Sequence, residues 1–139
     1  MATFNKFNCF VQDVGRKVHN LDSDTLKVML TNVAPVATNT KKADLTEIAA
    51  GNGYTAGGSA AANNDFTQSS GTGKLTADDV VFTASGGDIA AFRYIVLYND
   101  TSTDDSLIAW SDRGSSQIVP NGETYTVDFD AVNGILIIA

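Results

Sequence analysis

The sequence predicts an all-β domain: an antiparallel β-sandwich or jelly roll with a short N-terminal helix. Three observations carry that expectation. Short runs with a period of two follow one another closely through the second half of the chain. Two Asn-Gly dipeptides, Asn121-Gly122 and Asn133-Gly134, separate such runs, and Asn-Gly is the strongest short-range hairpin signal. Only one strong helical stripe is present, and it lies at the N-terminus.

That stripe comes first. Phe4, Phe7, Val11, Val14 and Val18 fall at spacings of three and four, with Phe10 beside them, which predicts a helix over about residues 4–19. Gly15 weakens it and Asn20 marks its stop. In "SDTLKVMLTN" (Ser23–Asn32), Leu26, Val28 and Leu30 alternate with Lys27, Met29 and Thr31, so the β-sandwich is expected from about residue 24 to 139, in a single domain. Pro35 interrupts the chain, and Lys41–Ala50 reads as one or two turns of helix with Asp44 near its start. Residues 51–73 hold six glycines and only two large apolar groups, Tyr54 and Phe66. They are expected to form a Gly/Ala-rich loop, with an edge strand near Tyr54–Ala61, that orders against a partner. The runs "GKLTADD", "DVVFTAS", "AFRYIVLYND", "SLIAWSD", "SQIV", "ETYTVDFDA" and "ILIIA" then follow as short strands.

One of these strands is unusual. In "AFRYIVLYND" (Ala91–Asp100), Phe92, Tyr94, Val96 and Tyr98 fall on one face and Ala91, Arg93, Ile95 and Leu97 on the other. Both faces are largely apolar, so both need cover. The N-terminal stripe is about the right size to cover one of them from within the chain; a second copy of the chain is the alternative.

Composition narrows the partners. The 139 residues carry a net charge of −7, which argues against nucleic acid as a partner. The charge is uneven. Residues 1–42 hold six basic and three acidic groups, and residues 43–139 hold three basic and thirteen acidic, balances of +3 and −10. No apolar run approaches the ~18 residues of a membrane span, and the N-terminal twenty residues lack a signal-peptide core. A soluble protein made in a cytoplasm, with no membrane partner, is expected. Cys9 is the single cysteine, so no intrachain disulfide forms, and its apolar neighbours suggest a small buried group.

No enzyme signature emerges, and no catalytic residue, cofactor or metal site is expected. The single histidine, His19, reads as a surface or helix-end residue. Acidic pairs occur at Asp22/Asp24, Asp78/Asp79, Asp104/Asp105 and Asp128/Asp130. A glycosidase needs two carboxylates across a cleft, but each pair here sits at a predicted turn, where Asp bonds local backbone. "DFDAVNG" (Asp128–Gly134) lacks the spacing and terminal Glu of a Ca²⁺ loop.

The stretches Ser23–Gly58, "FTASGGDIAAFRYIVLYNDTS" and "LIAWSDRGSSQIVPNGETYTVDFDAVNGILIIA" resemble the head decoration, or cement, proteins of tailed bacteriophages. The resemblance covers nearly the whole chain apart from about Ala60–Ser70. It implies a jelly-roll structural protein of the virion, bound to the outer surface of the capsid and bracing neighbouring subunits of the phage major capsid protein. Self-association as a dimer on the capsid is part of the same expectation. Related proteins sit on a tail or fibre, where a carbohydrate- or receptor-binding module would expose Trp110, Tyr54 or Tyr98. The candidate interaction residues are Phe4, Phe7, Lys41, Lys42, Tyr54 and Phe66.

Overall fold

A computed structural model describes residues 2–139. Among them, ten strands and one α-helix follow in the order β1 (Asn5–Lys6), α1 (Asn8–Gly15), β2 (Leu26–Thr31), β3 (Ser59–Ala60), β4 (Asp65–Ser69), β5 (Thr72–Thr76), β6 (Val80–Thr83), β7 (Ile89–Asn99), β8 (Leu107–Val119), β9 (Thr124–Val127) and β10 (Leu136–Ile138). They form a five-stranded sheet in the order β1-β8-β7-β2-β3, a three-stranded sheet β10-β5-β4 and a two-stranded sheet β6-β9. Neighbouring strands are antiparallel throughout. The chain is therefore mostly β with little helix, as a β-sandwich requires. Its strands divide five, three and two, not into the two four-stranded sheets of a regular jelly roll.

The main core lies between the five-stranded sheet and the two smaller ones. Leu26, Val28 and Leu30 of β2, Ile95 and Leu97 of β7 and Ile108 of β8 meet Leu75, Val80, Phe82, Val127 and Leu136 there. The β2 alternation thus points as its period demands. A second, smaller cluster sits on the opposite face of the large sheet. It joins Phe7, Met29, Val96, Tyr98 and Leu107, with Cys9, Leu45 and Trp110 packed against it. Both faces of the central strand β7 are therefore covered from within the chain.

The face assignment within β7 differs from simple alternation. Phe92 lies in the main core with Ile95 and Leu97, away from Val96 and Tyr98. The pairing with β8 is irregular on both sides of Phe92. Phe92 pairs with Gln117, whereas Tyr94 pairs with Asp112, so extra β8 residues bulge out between them. Gly114, at φ +93, supplies the left-handed backbone within that bulge. The runs "SLIAWSD" and "SQIV" are consequently one long bulged strand.

The N-terminal helix is shorter than the expected 4–19. Only Asn8–Gly15 is helical; residues 5 and 6 are a strand opposite Trp110 and Ala109. Phe7 is extended, with its N–H donated to Ile108. The aromatic spacing of three and four served two different cores: Phe7 fills the outer cluster and Phe10 the main one. Val11, which the stripe placed with them, is 68% exposed. Lys17, at φ +63, ends the helix.

Two further segments differ from expectation. Lys41–Ala50 contains only a 3₁₀ turn at Lys42–Asp44, closed by the Asp44 carboxylate accepting from the Thr40 and Lys41 N–H groups. These bonds hold its carboxyl below the usual carboxylate range. Residues 51–73 are not an open loop. They contain β3, β4 and the start of β5, and Tyr54 and Ala61 are buried. The strand expected near Tyr54–Ala61 is β3, paired with Lys27 and Val28.

Candidate functional site

The six residues expected to make contacts do not form one surface. Phe7 is wholly buried, its ring centroid 4.6 Å from that of Trp110. Tyr54 is also a core group: its hydroxyl accepts from the Leu30 N–H at 3.1 Å and donates to Glu47 Oε2 at 2.6 Å. Neither is available to a partner. Phe4 is half-buried against Phe129, ring centroids 5.6 Å apart. Phe66 lies half-buried on the β4–β5 hairpin, over Gly73, where a Cβ would come within 2.5 Å of its ring. Lys42 sits 3.9 Å from Glu47 and 5.8 Å over the Tyr98 ring. Lys41 is exposed.

Lys42 and Tyr54 instead meet at Glu47, while Phe7 belongs to the outer cluster. The segment from residue 40 to 58 runs from the outer cluster, where Leu45 packs, to the main core, where Ile48 and Tyr54 pack, and is pinned by Glu47. Its Oε2 also accepts the Gly57 N–H at 2.6 Å, and Tyr98 donates to the Gly57 carbonyl at 2.5 Å. Burial, then the bond to Glu47, raises the Tyr54 hydroxyl far above the usual phenol range. Burial first, then nearby carboxylates, raises that of Tyr98. Both phenols stay protonated donors.

The expected local turn role holds for Asp24, which accepts from the Asn20 N–H, and for Asp130, whereas Asp22, Asp78 and Asp79 bond segments distant in sequence. Asp22 accepts from Phe66 N–H, Asp79 from Phe129 N–H, and Asp130 from the N–H groups of Val132 and Asn133. Asp78 accepts from the Asn63 amide. Cys9 is half-buried, its sulfur 3.6–3.7 Å from the carbonyls of Asn39, Thr40 and Leu107. Burial, then Asp13, pushes its thiol up. Among the described residues, no group of three or more His, Cys, Asp or Glu side chains is placed to hold a metal ion.

His19 departs from its expected surface position. Its side chain is wholly buried, stacked on Phe10 with ring centroids 5.5 Å apart. Burial lowers its pKa, against the opposing pull of Asp13 and Asp24.

What the fold leaves open lies at the seam between the sheets. β8 is exposed from Asp112 to Ile118 except for half-buried Arg113. Among the described residues no strand pairs with its outer edge beyond Trp110. β9 pairs only with β6. The N-terminal arm closes one end of the seam: Ala2 N–H donates to Asp128 O, and β1 pairs with β8. Beyond the arm run two adjoining hollows of about 380 and 410 Å³ that share Arg113 and Tyr125 as walls. The Arg113 guanidinium lies 4.9 Å from the ring centres of both Phe92 and Tyr125, and donates to Gln117 Oε1 at 2.9 Å. Beside it, Asp112 accepts two bonds from Arg93, at 2.8 and 3.0 Å, and one from the Gly114 N–H at 2.8 Å. These partners hold the Asp112 carboxyl below its ordinary value. The seam offers backbone edges, hydroxyls and an aromatic-stacked cation. That inventory suits recognition of an extended segment, since strand edges bind through main-chain hydrogen bonds. Its one sequence signal is the polar break "DRGSSQ" inside an alternating run.

Comparison with protein-family profiles, with curated protein sequences and with solved structures finds no match to this chain.

Proposed function

We propose that this chain is a structural virion protein of the bacteriophage decoration type. In this reading it binds the outside of a capsid and braces neighbouring major capsid subunits by surface burial, without catalysis. The observation that carries the reading is the set of long stretches, Ser23–Gly58 and most of Phe82–Ala139, that resemble jelly-roll decoration proteins. Two structural features support it. The domain covers its own central strands, so its stability does not draw on the partner. The seam between β8 and β9 leaves backbone edges for a neighbour. Bracing a shell needs many modest contacts repeated by symmetry, and such contacts gain through avidity. Self-association on the particle belongs to the same proposal.

The tail or fibre reading draws less support. It asks for exposed aromatics on a concave face; Tyr54 and Tyr98 are buried, and Trp110 is half-buried against Phe7. The test is co-sedimentation of the purified chain with particles that lack it. Saturable binding to heads, unaffected by detached tails, is expected. Binding to tails alone, or to neither, would overturn the proposal.

A further inference from the structure

The one histidine of this chain sits in a polar lock that only its neutral form fits. His19 Nδ1 lies 3.0 Å from Asn99 Nδ2. The orientation of the Asn99 amide is fixed by its other bonds. Its Oδ1 accepts the N–H groups of Thr101 and Ser102 at 3.0 and 3.3 Å, and its Nδ2 also donates to Asp24 Oδ2 at 2.7 Å. Nδ1 must therefore accept, and the ring proton resides on Nε2. Nε2 is buried without a hydrogen-bond partner among the described residues, and the Asp13 carboxylate is 4.0 Å away.

Protonation sets two donors face to face. The new Nδ1–H would point at the Asn99 NH₂ group, and turning that amide would break its bonds to Thr101, Ser102 and Asp24. Two carboxylates favour the charged ring: Asp13 from α1 and Asp24 from the turn before β2. Burial and the Asn99 donor oppose it. A buried polar network of this kind is stable only when all its members are satisfied.

The lock joins two otherwise separate pieces. Asp24 Oδ2 also accepts the Asn20 N–H at 2.8 Å, which closes the connection between α1 and β2. Asn99 begins the β7–β8 turn, where Ser102 Oγ donates to Asn99 O and accepts the Ser106 N–H.

We propose that His19, Asn99 and Asp24 form an acid-sensitive latch that holds the α1–β2 connection against the β7–β8 turn and opens when His19 is protonated. The sign follows from linkage. The unfolded chain takes up a proton near the ordinary value of 6.5, before the folded chain does. The latch is thus at full strength above that pH and weakens as pH falls through it. The latch does not depend on what the protein docks on.

Because His19 is the only histidine, one imidazole C2–H resonance reports on it in the intact chain. Its NMR titration is expected to have a midpoint below 6.5. The amides of Thr101, Ser102 and Ser106 are expected to lose hydrogen-exchange protection through the same transition, while those of β2 keep theirs. A midpoint at or above 6.5, or protection at the turn unchanged across the titration, overturns the proposal. Asn99→Asp turns the opposing donor into an acceptor and should raise the midpoint. If that variant does not fold, Asp13→Asn removes a favourable charge and should lower it. A midpoint unmoved by the folded variant also overturns the proposal.

Discussion

Replacing Phe7 by Ala separates an internally covered sheet from one that awaits a partner. Phe7 has no exposed surface and packs in the outer cluster with Met29, Val96, Tyr98 and Leu107, against the Trp110 ring. Truncating a buried Phe removes its transfer energy and leaves a cavity, for a typical cost of roughly 3–5 kcal/mol. Unfolding entropy is about 2.1 cal/mol/K per residue, so for 139 residues each kcal/mol shifts the melting temperature by about 3 °C. The expected fall is therefore roughly 10–15 °C in the isolated protein. Val11→Ala is the control. Val11 is 68% exposed, and such surface changes usually stay within about 0.5 kcal/mol. Thermal and urea melts of the two single variants suffice. Equal melts for Phe7→Ala and wild type, or a larger loss for Val11→Ala, would refute the internal cover.

Other outcomes follow from specific contacts. Gly58 has φ +81, and a Cβ there would sit 1.8 Å from the Val28 carbonyl oxygen, so Gly58→Ala should prevent β3 from docking on β2 and cost several kcal/mol. Gly71, at φ +82 in open space, should lose only about 1 kcal/mol on the same change, as urea midpoints will show. Tyr54→Phe and Glu47→Gln should each cost about 1–3 kcal/mol and be non-additive in a double-mutant cycle, because they break one buried network. Limited proteolysis of the free protein should spare the chain around Tyr54 and cut first at the exposed Ser70–Gly71 turn; rapid cleavage beside Tyr54 would mean that the segment is not packed. Asp44, Asp112 and Asp130 have carboxyls held down by hydrogen bonds, so each stabilises the fold above its unfolded value of 3.8, and that contribution is lost as pH falls through the lower folded values. Urea midpoints of wild type and Asp112→Asn should converge in that acid range.

Local patterns carried most of the β architecture. The alternation of Leu26, Val28 and Leu30 is the inward face of β2. Both Asn-Gly dipeptides lie at turns, with Gly122 and Gly134 at φ +87 and +85, but neither closes the expected hairpin: the strands they connect pair elsewhere, β8 with β7, β9 with β6 and β10 with β5. The local bonds of Asp24 and Asp130 to turn backbone were legible because Asp favours that role, while the long-range bonds of Asp22 and Asp79 were not. Where two cores compete, periodicity alone misleads. Phe7 and Phe10 share a helical spacing, yet a strand and a helix deliver them to opposite faces. The pairing of β7 with β8 is irregular on both sides of Phe92, which lies in the main core against the alternation, and an unbroken period of two does not carry such a break. The burial of His19 and the pinning of residues 40–58 depend on Asn99, Leu30 and Tyr98, partners distant in sequence. The Arg113 seam is likewise assembled from β7, β8 and β9 and has only a polar break to mark it.

Cryo-electron microscopy of tailed-bacteriophage particles incubated with the purified chain tests the proposed role most directly. The account predicts density for the sandwich on the outer surface of the head, repeated with the shell's symmetry and touching more than one capsid subunit. Density confined to the tail or fibres, or particles that lack the chain altogether, would contradict it.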